Sequence, residues 1–136
     1  MKEISVSDWM HRGVVSCQPD MSVEKVSKLM GSKDISALVV VNREGDAVGV
    51  ISRTDLVNGR FIQPYLKHWR GMTAAHLMSV PVVSVSPMTP VREAARLLKR
   101  EHIHRLVVVE GEGECLKPVG ILSVTDLSRH VSGKEH

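Results

Sequence analysis

Residues 48–56 read VGVISRTDL, and residues 119–127 read VGILSVTDL. In each stretch an apolar run ends at a serine, and an aspartate follows three positions later. This pattern is typical of a buried strand that leads directly into a capped helix. Two such stretches in one chain indicate a duplicated structural unit.

The duplication extends upstream of both stretches. Leu38-Val39-Val40-Val41 corresponds to Leu106-Val107-Val108-Val109, and Val14-Val15-Ser16 corresponds to Val82-Val83-Ser84. The matches keep their order, and an insertion between Glu110 and Pro118 lengthens the second copy. The chain is therefore two copies of one unit.

Each copy has the pattern of a βαββα unit. The pattern predicts an α/β (α+β) fold of two tandem repeats, with repeat one at 1–60, a connector at 61–73 and repeat two at 74–136. A unit of this size buries only about 60% of its chain surface and is marginal alone. We therefore expect the two repeats to pack sheet to sheet, with pseudo-twofold symmetry, as one folded module.

Composition narrows the function classes. The formal charge is +3 and aromatic residues make up 3% of the chain, so neither a dedicated nucleic-acid binder nor base recognition mainly by aromatic stacking is favoured. No apolar run is long enough to span a membrane. The two cysteines, Cys17 and Cys115, lack zinc-ligand spacing, which favours a reducing, cytoplasmic location.

The repeat and its GhhSxxD motif (h, an apolar residue) resemble the CBS domain, named after cystathionine β-synthase. The resemblance runs from Val6 to Val131 and is to a stand-alone CBS pair, or Bateman module. The motif is short, but it occurs twice, each time after a predicted buried strand and at the start of a helix. That double occurrence makes the resemblance specific.

The resemblance implies a nucleotide site in each copy. Asp55 and Asp126 would bind ribose hydroxyls. Ser52 and Ser123 would bind phosphate, beside helix-start N–H groups that lack helical partners. Adenine would lie between apolar strands and be recognised mainly by the backbone around six residues, namely Ile35, Ser36, Ala37, Ile103, His104 and Arg105.

The same serine and aspartate also permit a purely structural interpretation. Ser-x-x-Asp is a variant of the capping box, in which the two side chains satisfy the first N–H groups of a helix. Capping and ligand binding are compatible, and the sequence leaves both open.

The copies differ just before the Leu-Val-Val-Val strand. Copy two has His104-Arg105 where copy one has the uncharged Ser36-Ala37. The His-Arg pair is similar to the phosphate-binding pair of AMP-sensing family members, so Arg105 is expected to hold a phosphate whose ribose lies on Asp55. We therefore predict unequal clefts. A surface salt bridge is the alternative role for Arg105.

The resulting hypothesis is a regulatory module, not an enzyme, that binds AMP, ADP or ATP and needs no cofactor. Alternatives are an adaptor with vestigial clefts, a binder of S-adenosyl compounds or NAD, and a nucleic-acid binder using the basic, aromatic connector. We expect a homodimer, a four-repeat disc formed through helix faces carrying Met30 and Leu98, and an unknown effector protein. A metal site at His102 and His104, completed by His68 or His76, is disfavoured.

Overall fold

The computed structural model describes residues 3–62, 71–113 and 115–132. The sequence also favours a connector whose aromatics, Phe61, Tyr65 and Trp69, fill the gap between the repeats, but Tyr65 and Trp69 lie outside the described residues. Phe61, which is described, is 70% exposed.

The described elements confirm a mixed α/β fold, and apart from β1 and η1, which occur in the first copy, their order is the same in both copies. They are α1 (Val6–Trp9), β1 (His11–Arg12), β2 (Ser16–Cys17), α2 (Val23–Lys33), β3 (Ala37–Val41), β4 (Ala47–Ser52), α3 (Arg53–Val57), the π-helical turn η1 (Asn58–Ile62), α4 (Ala74–Leu77), β5 (Ser84–Val85), α5 (Val91–Glu101), β6 (Arg105–Glu110), β7 (Lys117–Ser123) and α6 (Val124–Ser132).

The chain forms two compact units whose limits differ from those of the sequence copies. The central unit comprises residues 15–82, and the terminal unit comprises 1–14 together with 83–136. The central sheet has the order β2-β3-β4, and the terminal sheet has the order β1-β7-β6-β5. In each sheet a hairpin, β3-β4 or β6-β7, pairs on one side with a short parallel strand, β2 or β5.

Helix α2 shows how each core is built. Ser22 caps its start, where the Lys25 N–H donates to Ser22 Oγ at 3.2 Å. Asp34 ends it in a left-handed conformation with φ of 51°. Val26 and Met30 point inward at helical spacing and pack with the buried strand residue Leu38. In the terminal unit Ala94 and Leu98 of α5 pack with Leu106 in the same way.

The first segment of each sequence copy packs on the unit built mainly from the other copy. Helix α1 lies on the terminal unit, where the Val6 N–H donates to Thr89 O at 2.8 Å. Helix α4 lies on the central unit, where the Ala74 N–H donates to Met21 O at 2.8 Å. Val6 and Ala74 are both fully buried, so these segments complete the two cores.

The glycine of each motif makes room for these exchanged segments. A methyl group added at Gly49 would lie 2.5 Å from the Sδ of Met78. At Gly120 it would lie 2.7 Å from the carbonyl oxygen of His11 and 2.9 Å from the Sδ of Met10. Within each unit, the strand glycine therefore allows another segment of the same chain to pack closely against it.

We expect Gly120→Ala to lower the free energy of unfolding by about 1–3 kcal/mol, because the new methyl group meets a backbone oxygen. Gly31→Ala is the matched control. It adds a methyl group into open space on helix α2 and should stabilise by about 0.5–1 kcal/mol. Urea unfolding of both variants measures the difference, and a neutral Gly120→Ala would contradict the packing role.

Candidate functional site

A reciprocal serine–aspartate contact joins strand β4 to helix α3. The Ser52 N–H and hydroxyl donate to Asp55 Oδ2 at 2.8 and 3.0 Å, and the Asp55 N–H donates to Ser52 Oγ at 3.1 Å. The same three bonds link Ser123 to Asp126 at 2.9, 3.0 and 3.1 Å. The capping interpretation is confirmed in both copies.

Capping occupies groups that the nucleotide interpretation assigned to phosphate. Each serine hydroxyl has one hydrogen, and the aspartate already accepts it. The expectation that helix-start N–H groups lack partners is wrong at four positions. The Arg53 N–H donates to Ser36 O and the Val124 N–H donates to His104 O. The N–H groups of Asp55 and Asp126 are both held in the caps. The helix starts therefore offer little to a phosphate unless the caps open.

The second carboxylate oxygen distinguishes the two copies. Oδ1 of Asp126 accepts a hydrogen bond from Arg129 Nη1 at 3.3 Å, and the Asp126 side chain is only 12% exposed. Asp55 is half-buried, and no donor reaches its Oδ1 among residues 3–62, 71–113 and 115–132. The acceptor predicted for a ribose is thus available at Asp55 and partly occupied at Asp126.

Strand register brings the predicted cationic pair to the serine of its own unit. Arg105 pairs with Ser123 across β6 and β7, and Ala37 pairs with Ser52 across β3 and β4. Arg105 is half-buried and His104 is exposed. The terminal unit therefore has cationic side chains on both sides of its cap, namely Arg105 at the strand edge and Arg129 on the helix.

The backbone segments predicted to recognise adenine are partly engaged. The N–H groups of Ile35 and Ile103 donate to the last turns of α2 and α5, at Met30 O and Leu98 O, both at 3.1 Å. In the central unit Arg53 also contacts this backbone segment, because its Nε donates to Ile35 O at 3.1 Å.

Arg53 is held by an ion pair as well as by this backbone contact. Its Nη2 donates to Asp34 Oδ1 at 3.0 Å, and the two side chains are 57% and 95% exposed. Exposed pairs of this kind contribute little stability. The equivalent residue in the other copy is Val124, whose side chain has no hydrogen-bond donor. The backbone at Ile35 therefore has an arginine contact that Val124 cannot give to the backbone at Ile103.

The family model described as the CBS domain matches residues 6–60 and again residues 74–133. The chain belongs to the CBS-domain family. The two matches correspond to the two sequence copies, so the predicted pair of CBS repeats is confirmed.

Several known proteins are similar to this chain in structure or in sequence. The crystallised CBS domain pair of protein MJ0100 has a TM-score of 0.83 and 22% identity, covering 98% of this chain and all of that one. CBSX2, solved in complex with AMP, has a TM-score of 0.79 and 29% identity, covering 93% of this chain and 95% of that one. A protein from Methanopyrus kandleri is 29% identical over 93% of this chain, which spans only 62% of that relative's length.

Two residues, one within a CBS motif and one just after the other motif, did not emerge from the sequence as site residues. Arg53 and Arg129 both contact predicted site groups, yet neither belongs to the residues that the copies share. Comparing the copies at non-identical positions would have singled them out, since Arg53 corresponds to Val124 and Arg129 corresponds to Asn58. The residues that both copies share form the cap. The neighbouring residues that differ between the copies give each cap different contacts.

Other sites receive no support from the described residues. Within ranges 3–62, 71–113 and 115–132, no group of three His, Cys, Asp or Glu side chains is arranged to hold a metal ion. His68 lies outside these ranges. The helices described are all too short or too polar to cross a membrane.

We expect Ser123→Ala to lower the free energy of unfolding by about 1 kcal/mol, because the first turn of α6 loses its cap. Thr125→Ala is the matched control, since Thr125 is exposed in the same turn and outside the cap. Urea unfolding compares them, and equal changes in the two variants would contradict the cap's contribution.

Proposed function

We propose that this CBS pair is a regulatory module, not an enzyme, that binds AMP or another adenine nucleotide. The observation that carries the proposal is the half-buried carboxylate of Asp55. Its Oδ2 accepts from the Ser52 N–H at 2.8 Å, and its Oδ1 accepts no hydrogen bond from the residues that the structure describes. A rigidly held acceptor of this kind suits a ribose hydroxyl.

The phosphate would be held by Arg105, with a further hydrogen bond from His104. An arginine presents two parallel N–H donors to phosphate oxygens, and its half-buried position strengthens the interaction by limiting water access. CBSX2, which shares 29% identity with this chain, was solved with AMP, and this supports AMP as a ligand to test first. Adenine would lie along the edges at Ile35–Ala37 and Ile103–Arg105, against the apolar strands.

An adaptor with vestigial clefts is the second candidate. Both serine hydroxyls are engaged in caps, and Arg53 covers the Ile35 carbonyl. If these contacts persist in solution, the clefts are structural and the chain acts through a partner protein without a nucleotide.

We also propose a homodimer, but through a different surface from the one the sequence suggested. Met30 and Leu98 are 2% and 3% exposed because both side chains face their own sheets, so they offer no contact surface. A groove of about 430 Å³ beside α3 is lined by Leu56, Val57 and Phe61. Phe61 is 70% exposed and Val57 50% exposed, as expected of side chains that a second copy covers.

The proposed setting is the cytoplasm, with an effector protein that responds to ligand-dependent changes. Cys17 and Cys115 are unpaired, which suits a reducing compartment. Burial, with a smaller effect of Asp20, raises the pKa of Cys17 to about 11, so this thiol stays protonated and unreactive near neutral pH.

AMP should stabilise the chain, and Arg105→Gln should weaken AMP binding about 10- to 100-fold, because charge-assisted phosphate bonds are lost. Adenosine, which has no phosphate, should bind both proteins equally. Thermal melting and calorimetric titration supply the measurement. A hundredfold excess of AMP over its dissociation constant should add about 2.7 kcal/mol of native stability.

Arg43→Gln is the control, because it removes an equal charge from the exposed hairpin turn between β3 and β4. No stabilisation by any adenine nucleotide would reject the proposed ligand and favour the adaptor. Equal losses of AMP and adenosine affinity in Arg105→Gln would reject the phosphate role.

A further inference from the structure

The two cap aspartates, Asp55 and Asp126, differ in the residues around Oδ1, which is the carboxylate oxygen that the cap serine does not contact. Arg129, one helical turn after Asp126, donates to Asp126 Oδ1 at 3.3 Å. The residue one turn after Asp55 is Asn58, and no hydrogen bond links it to Asp55 Oδ1 in the described part of the chain. Among the described residues, a cation therefore contacts the aspartate carboxylate in only one of the two copies.

This difference changes how many hydroxyl groups of a ribose diol each aspartate can accept. A carboxylate has about four lone-pair positions, two on each oxygen. The Ser123 N–H and hydroxyl use Oδ2 of Asp126 at 2.9 and 3.0 Å. Arg129 takes one of the two positions left on Oδ1. A ribose with two adjacent hydroxyls can therefore donate both to Asp55 but only one to Asp126 unless Arg129 moves away.

Burial favours persistence of this contact over an ordinary exposed pair. The Asp126 side chain is 12% exposed, whereas the Arg129 side chain is 67% exposed. A carboxylate withdrawn from water depends more on the donors that remain. Because the Arg129 side chain is exposed, it can move away from Asp126 while the core stays packed.

We propose that Arg129 masks Asp126 and so makes Asp55 the preferred acceptor for a ribose diol, giving two clefts of unequal affinity. This inference rests on the proposed nucleotide function and adds the residue that sets the order of filling. It runs against the simple charge expectation, because removing a cation near an anionic ligand normally weakens binding.

The test uses AMP and adenosine with the full chain. In an Asp55→Asn background, where the preferred acceptor is impaired, adding Arg129→Asn should raise AMP affinity about three- to tenfold, since the freed oxygen accepts a second hydroxyl. Arg129→Asn alone should raise AMP stoichiometry in equilibrium dialysis from roughly one toward roughly two per chain at a fixed concentration. Asn58→Arg should lower the affinity of the Asp55 site by a similar factor.

Arg96→Asn is the control, because it removes the same charge from an exposed position on α5. It should leave adenosine affinity unchanged and weaken AMP binding at most slightly. If the wild-type chain binds AMP but Arg129→Asn leaves the weaker cleft unchanged or weaker still, masking is rejected while the nucleotide function stands. If neither the wild-type chain nor any variant binds AMP or adenosine, the proposed function fails, and the masking role fails with it.

Discussion

In each unit the carboxylate of an aspartate holds the backbone N–H and hydroxyl of the serine three residues earlier, and this contact fixes where a buried strand becomes a helix. The bond lengths agree within 0.1 Å between copies, at 2.8 and 2.9 Å for the serine N–H and 3.0 Å for both hydroxyls. The strand before each cap carries the glycine on which an exchanged methionine packs. The cap therefore sets the orientation of the buried strand that precedes it and of the helix that follows it.

The same contact determines what chemistry remains for a ligand. Serine gives its only hydroxyl hydrogen to the aspartate, and Oδ2 of the aspartate is filled. Of the groups in the cap, Oδ1 of the aspartate is the oxygen that keeps acceptor positions for a ligand. The two copies differ at non-identical positions within and just after the motif, which are Arg53 and Asn58 in one copy and Val124 and Arg129 in the other.

The repeat, the element order and the buried strands were predictable because they depend on local patterns of apolar and capping residues. Leu38 and Leu106 fall in buried strands as their runs predict. The exchange of α1 and α4 was not predictable, since Val6 and Ala74 are short apolar contributions that fit either unit equally well by pattern. Only the structure reveals the bonds from Val6 to Thr89 and from Ala74 to Met21.

The candidate site was predictable in its shared part and not in its asymmetry. Ser52, Asp55, Ser123 and Asp126 recur in sequence, so their pairing follows from the capping rule. The contact of Arg129 with Asp126 depends on a rotamer of a long side chain, and a helical i, i+3 spacing permits it without requiring it. The position of Arg105 opposite Ser123 likewise required the strand register.

The most direct test of the account is a crystal structure of the full chain grown with AMP. The account predicts ribose hydroxyls within hydrogen-bonding distance of Asp55 Oδ1, phosphate on Arg105, and both serine–aspartate caps intact. AMP with its ribose on Asp126 while Asp55 is empty, or phosphate bound by opened caps away from Arg105, would contradict it.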